Sequence, residues 1–189
     1  TRVLTYKILH LLIEKKAFPN QILAVTFTNK AATEMKMRVS QLLNYPIDKM
    51  WLGTFHALSV KILRKYSEKV GLKSNFVIID MDDQLKLIKQ ICEREMVDLK
   101  EKTPKYFLSI IDNYKNKAIS YDSIKPNKYK KDEDAIKIYR LYQQELIRLN
   151  CADFGDLILY CLKILKDNVD IRTTYQNLFK YILVDEYQD

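Results

Sequence analysis

An α/β fold, with a parallel sheet interrupted by a large all-helical insertion, is predicted by three observations. Two short apolar runs, Gln21–Phe27 and Met50–Gly53, each pass through a polar junction into a helical pattern. A third run, Tyr181–Val184, ends abruptly on two carboxylates, Asp185 and Glu186. Between residues 81 and 178 nearly every segment carries the apolar spacing of a helix, so the strand–junction–helix alternation gives way to a helical block. Alternating strands and helices are the grammar of a doubly wound sheet, whose ligands gather at the carboxyl ends of its strands.

Each element follows from its residues. From Arg2 to Lys16, Val3, Leu4, Ile8, Leu11 and Leu12 recur at helical spacing, until Pro19 and Asn20 break the pattern. Gln21–Phe27 is apolar and partly β-branched without alternation, as a strand covered on both faces must be. Thr28-Asn29 reads as a cap for a helix over 30–43, with Ala31, Ala32, Met35, Val39 and Leu42 on one side. Tyr45-Pro46 ends it. Met50–Gly53 reads as a short strand, and Thr54-Phe55-His56 leads into a helix over 57–70 that stops at Gly71. Phe76–Asp80 is one more extended run, its aspartate placed to cap the next helix. Helices are then expected over 81–96, 104–117, 132–149, 154–166 and 170–178. Asp153 and Asp156 stand at the start of one of these, where capping is favoured over ligand contact. This pattern assigns residues 1–56 and 175–189 to one subdomain and 57–174 to the helical insertion.

Composition narrows the function classes. A chain of 189 residues, 48% hydrophobic, can bury one good core plus a smaller insertion. Cys92, Cys151 and Cys161 lack metal-ligand spacing and sit in helical-looking stretches, so they read as buried thiols of a reducing compartment. Two histidines, His10 and His56, argue against a His-rich metal site, and His10 reads as a surface residue. No run reaches the roughly 18–20 apolar residues of a bilayer span and no signal-peptide pattern opens the chain, so a cytoplasmic location is expected. The net charge of +8, carried mostly by lysine, biases the surface towards polyanions. Nine lysines fall between Lys100 and Lys131, interleaved with Tyr106, Tyr114, Tyr121 and Tyr129. That is the composition of a surface tracking a nucleic-acid backbone, and equally of a solvated helical hairpin. The opening at Thr1 without Met, and the close on a strand edge, read as a fragment of a longer protein.

The acidic end offers two readings. A buried strand that delivers Asp185 and Glu186 to a sheet edge can hold Mg²⁺ with the first and activate a water with the second; a solvated acidic turn has the same letters. Four segments together carry a family resemblance. Ala24-Val25-Thr26-Phe27-Thr28-Asn29-Lys30-Ala31-Ala32-Thr33-Glu34-Met35 resembles motif Ia of UvrD/PcrA/Rep-type superfamily 1 DNA helicases, and Gly53-Thr54-Phe55-His56 resembles their motif Ib. Asp153-Phe154-Gly155-Asp156-Leu157-Ile158 resembles their Asp-Phe-x-Asp-Leu segment, and Val184-Asp185-Glu186-Tyr187-Gln188-Asp189 their motif II. The four occur in the family's order.

The resemblance implies a RecA-like P-loop NTPase sheet, incomplete here, as motor subdomain 1A, with the helical insertion as subdomain 1B. It implies ATP and Mg²⁺ as cofactors. Asp185 would then ligate the metal, Glu186 would be the base, and Gln188 would sense the γ-phosphate or couple to neighbouring motifs. Thr1 would bind nucleotide and metal through its hydroxyl. The Gly-rich loop and Lys that precede this position in the family, and the second motor domain, do not occur in the sequence, so the chain alone is expected to be inactive. Phe27, Thr28, Asn29, Thr54 and His56 would hold single-stranded DNA, a role favoured over the plainer reading of Phe27 as core and Thr28-Asn29 as a cap. The implied activity is 3′-to-5′ unwinding in repair or replication, on single-stranded DNA and single-strand/duplex junctions. The alternatives are the motor part of a RecB/AddA-type helicase–nuclease, and a nucleic-acid-binding module without ATPase activity.

Overall fold

The computed structural model describes residues 2–44, 46–124 and 133–188. In chain order its elements are α1 (Arg2–Ile13), β1 (Ile22–Val25), α2 (Asn29–Leu43), β2 (Trp51–Gly53), α3 (Phe55–Tyr66), β3 (Val77–Ile78) and α4 (Met81–Arg94). There follow α5 (Pro104–Asn116), α6 (Glu133–Arg148), β4 (Cys151–Ala152), α7 (Phe154–Asp167), α8 (Val169–Leu178) and β5 (Tyr181–Val184). They form two compact units, residues 1–62 with 165–189, and residues 63–164.

The first unit is built on a three-stranded parallel sheet in the order β2-β1-β5. Its central strand is apolar throughout, and Ile22, Ala24 and Val25 are buried, as expected for a strand covered on both faces. Ile8, Leu11 and Leu12 of α1 and Met35 and Val39 of α2 complete this core. The apolar run Gln21–Phe27 is longer than the strand it forms. Thr26 still donates its N–H to the Gly53 carbonyl at 3.0 Å, but Phe27 has left the sheet and is 71% exposed. On β2, Trp51 packs nearly perpendicular to Tyr175 and Phe179 with ring centroids 5.7 and 5.3 Å away, while Lys61 Nζ lies 3.9 Å over the indole face.

The second unit is helical. Ile88 and Ile91 of α4, Phe107 and Ile111 of α5, and Ile138 and Tyr142 of α6 are buried against one another. A two-stranded parallel ribbon, β3 with β4, pairs Val77 with Cys151 and Ile78 with Ala152. Cys151 therefore lies on a strand and is half-buried, where the sequence suggested a buried helical thiol; Cys92 and Cys161 are buried, and none of the three is in a disulfide. Gly71 turns the chain after α3 at φ 81, a conformation that costs glycine little. The Arg64 guanidinium then donates to the carbonyls of Ser74 and Phe76 at 2.7 and 2.6 Å and covers the Phe76 ring at 3.8 Å.

The lysine–tyrosine segment is less open than its composition suggests. Tyr114 stacks on buried Tyr139 at 6.1 Å, and Tyr121 meets the same ring edge-on at 6.0 Å, so both are packing residues. Lys102 pairs with Asp134 at 2.5 Å. Lys100, Lys105, Lys117 and Tyr106 remain exposed. Lys125, Lys128, Tyr129, Lys130 and Lys131 lie outside the described residues.

Lys115 is fully buried between two carboxylates. Its Nζ lies 2.5 Å from Asp153 Oδ2 and 2.8 Å from Asp156 Oδ1. Those aspartates cap α7 as expected: Asp156 N–H donates to Asp153 Oδ1 at 2.9 Å, and Asp153 N–H donates back to Asp156 Oδ2 at 3.2 Å. Tyr142 donates to Asp153 Oδ2 at 2.9 Å, and Gln143 Nε2 donates to Asp156 Oδ1 at 2.8 Å and to the Tyr160 hydroxyl. Gly155 leaves room for the lysine stem, since a Cβ there would meet Lys115 Cδ at 3.0 Å.

This cluster makes stability depend on pH. Burial pushes Asp156 up to about 6, with the Lys115 ammonium opposing and the Asp153 charge adding. Burial and the same Asp153 charge also raise neighbouring Asp112. The unfolded carboxyl titrates near 3.8. Between about pH 4 and 6 the folded state therefore holds more protons, and the Asp156 contribution, present at lower pH, is lost as pH rises through that window. Asp156→Asn removes the titration. Urea melts should show the advantage of wild type over Asp156→Asn shrinking from acid towards neutral pH; a constant difference would contradict this assignment.

Among the described residues no helix is long and apolar enough to cross a membrane.

Candidate functional site

The site is a rim. In the parallel register Val25 is aligned with Gly53 on one side and Val184 on the other, so all three strands end level. The ladder runs one step further: Asp185 N–H donates to the Val25 carbonyl at 2.8 Å. The junctions that follow β1, β2 and β5 therefore emerge side by side from one edge, and they hold the sequence-predicted residues from Phe27 to Gln188. Thr1 lies outside the described residues.

At the first junction Thr28 caps α2, its Oγ1 accepting from Ala31 N–H at 3.1 Å, while buried Thr26 donates to the Thr28 carbonyl at 3.0 Å. Thr54 repeats the device for α3, accepting from Ala57 N–H at 3.2 Å. Its hydroxyl points to Asn29 Oδ1 at 3.4 Å, which links the two helix starts, and the Asn29 side chain is exposed. Two capped helix N-termini thus face one rim, each with backbone N–H groups suited to an anion. The capping read from sequence at Thr28 is present, whereas a core position for Phe27 is ruled out by its exposure. His56 is half-buried on α3, and burial lowers its pKa, so the imidazole is uncharged near neutral pH. His10 is exposed, with Lys16 Nζ 3.0 Å from its Nε2.

At the third junction Asp185 is half-buried and Glu186 exposed. Glu186 adopts φ 50, a left-handed conformation that any residue with a Cβ disfavours, and Gln188 Nε2 donates to its Oε2. Among the described residues no group of three His, Cys, Asp or Glu side chains could hold a metal. The carboxylate of Asp185, whose backbone N–H is held by Val25, could serve a magnesium ion that takes its remaining ligands from phosphates and water. Sequence reasoning passed over Phe55, which stands between Thr54 and His56 and is 56% exposed on the same rim. It also passed over Lys115, which reads as one solvated lysine among many.

The family profile of the UvrD/REP helicase N-terminal domain matches residues 1–189. The chain belongs to that family. An ATP-dependent DNA helicase PcrA of Staphylococcus aureus is 40% identical over 190 residues, which cover 100% of this chain and 26% of the relative. Its counterpart in Staphylococcus epidermidis is 41% identical with the same coverage. The chain thus spans about a quarter of the length of the curated relatives it matches. Within this UvrD/REP domain, the mostly helical fold with a small parallel sheet agrees with the α/β class read from sequence.

Proposed function

We propose that the chain is the N-terminal motor portion of an ATP-dependent DNA helicase that moves 3′-to-5′ on single-stranded DNA and works at single-strand/duplex junctions in the cytoplasm. The unit of residues 1–62 and 165–189 is the partial RecA-like subdomain 1A, and the helical unit corresponds to 1B. The observation that supports this reading is the level ending of β2, β1 and β5, which gathers the motif Ia, Ib and II residues on one rim. Asp185, and Thr1 by the family resemblance, would hold Mg²⁺, which when bound would supply positive charge to the ATP phosphates. Glu186 accepts the proton of the attacking water, and Gln188 orients that carboxylate. Phe27, Thr28, Asn29, Thr54 and His56 hold the DNA strand: an aromatic face for a base, and helix-start donors for phosphates. By itself the chain is expected not to turn over ATP. A motor of the RecB/AddA type would share these residues, and a nuclease activity in the complete protein would favour it.

The test is binding of a labelled oligothymidylate by this chain. Affinity should fall steeply with salt, and Phe27→Ala should weaken it by roughly ten- to a hundred-fold, since one base–aromatic stack is worth about 1–3 kcal/mol. Equal affinity of Phe27→Ala and wild type would remove Phe27 from the DNA site.

A further inference from the structure

Phe55 carries no role in the reading above, yet its placement matches that of Phe27. It is the first residue of α3, and more than half of its surface is open to solvent. Val25 and Gly53 are register partners on neighbouring parallel strands, and Phe27 and Phe55 follow them at the same two-residue offset. Adjacent strands run about 4.8 Å apart, so the backbone sends out the two rings from neighbouring positions on one rim. Donors accompany them: the first N–H groups of α2 and α3, the exposed Asn29 side chain, and the exposed ammonium of Lys30.

Local packing does not explain either ring. An apolar residue just before a helix cap commonly packs on the fourth helical residue. For Phe27 that residue is Ala32, yet Phe27 stays 71% exposed. Phe55 lies inside the cap set by Thr54, where no such staple forms. What remains is a surface on which flat apolar faces alternate with anion-binding donors. A single strand of nucleic acid has the complementary alternation of bases and phosphates.

We infer that Phe55 is a second base-stacking residue, holding the nucleobase next to the one on Phe27. The inference rests on the DNA reading of the rim. A ring contributes no phosphate contact, so losing it lowers affinity without changing the salt dependence. Every base has a π-face, so the stack tolerates any sequence.

The test compares wild type, Phe55→Ala and Phe55→Trp for binding to oligothymidylate and to an abasic backbone of the same length, by fluorescence anisotropy at several salt concentrations. Phe55→Ala should bind oligothymidylate about ten-fold more weakly, with an unchanged salt slope, and Phe55→Trp should bind at least as well as wild type. On the abasic backbone wild type and Phe55→Ala should be equal. Equal binding of oligothymidylate by the two, or an equal loss on both strands, overturns the stacking role. Failure of wild type to bind oligothymidylate even at low salt overturns the DNA reading itself, a different result from either. The thermal midpoint of Phe55→Ala should match wild type, because the ring supports no core.

Discussion

Lys115→Met should destabilise the helical unit by about 3–5 kcal/mol, a large share of the 5–15 kcal/mol that holds a typical domain together. Methionine keeps the apolar stem beside Gly155 but removes the ammonium, and Asp153 and Asp156 then face each other without a cation. In the wild-type chain the pair of carboxylates holds the lysine above its usual pKa, although burial alone would lower it. The variant loses the partner while burial of the two acids remains, which is the costly half of breaking a buried ion pair. Urea denaturation followed by circular dichroism should show a lower midpoint. Combining Lys115→Met with Asp153→Asn and Asp156→Asn should recover most of the loss, because no unpaired charge is left inside. An unchanged midpoint for Lys115→Met would show that the cluster contributes nothing.

Glu186→Gln, placed in a protein that carries the rest of the motor, should lower ATP turnover by about 10²–10⁴-fold, the usual contribution of a general base. Nucleotide binding should stay within a few-fold of wild type, since the amide has the same shape and Asp185, fixed through Val25, is untouched. Phosphate release and a fluorescent-nucleotide titration measure the two quantities separately. Turnover at the wild-type rate would remove Glu186 as the base. A parallel loss of binding would make it a ligand of the nucleotide or its metal.

Much of the fold was legible because its helices are long and periodic. The helix expected over 104–117 is α5 at Pro104–Asn116, and that over 154–166 is α7 at Phe154–Asp167. Strands were less clear. β4 is two residues, Cys151–Ala152, too short for any pattern, and exists because β3 offers it a partner. β1 stops before its apolar run does, because the Thr28 cap bends the chain out of the sheet at Phe27. The rim was legible because its residues cluster in contiguous motifs. The Lys115 cluster was not, since its members come from three helices and a lysine among lysines carries no sign of burial. Tyr114 and Tyr121 misled for the same reason: only the position of Tyr139 reveals that their faces are occupied.

The pairing of β1 with β5 also sets a timetable. The strand at residues 22–25 is made early, but its partner at 181–184 comes only after the whole helical unit. Contacts among α4, α5 and α6 are local by comparison and close quickly, while a ladder across so long a loop forms slowly. A nascent chain would then carry β1 with one flank open until β5 has been made, which leaves an apolar strand edge open to misassociation during synthesis.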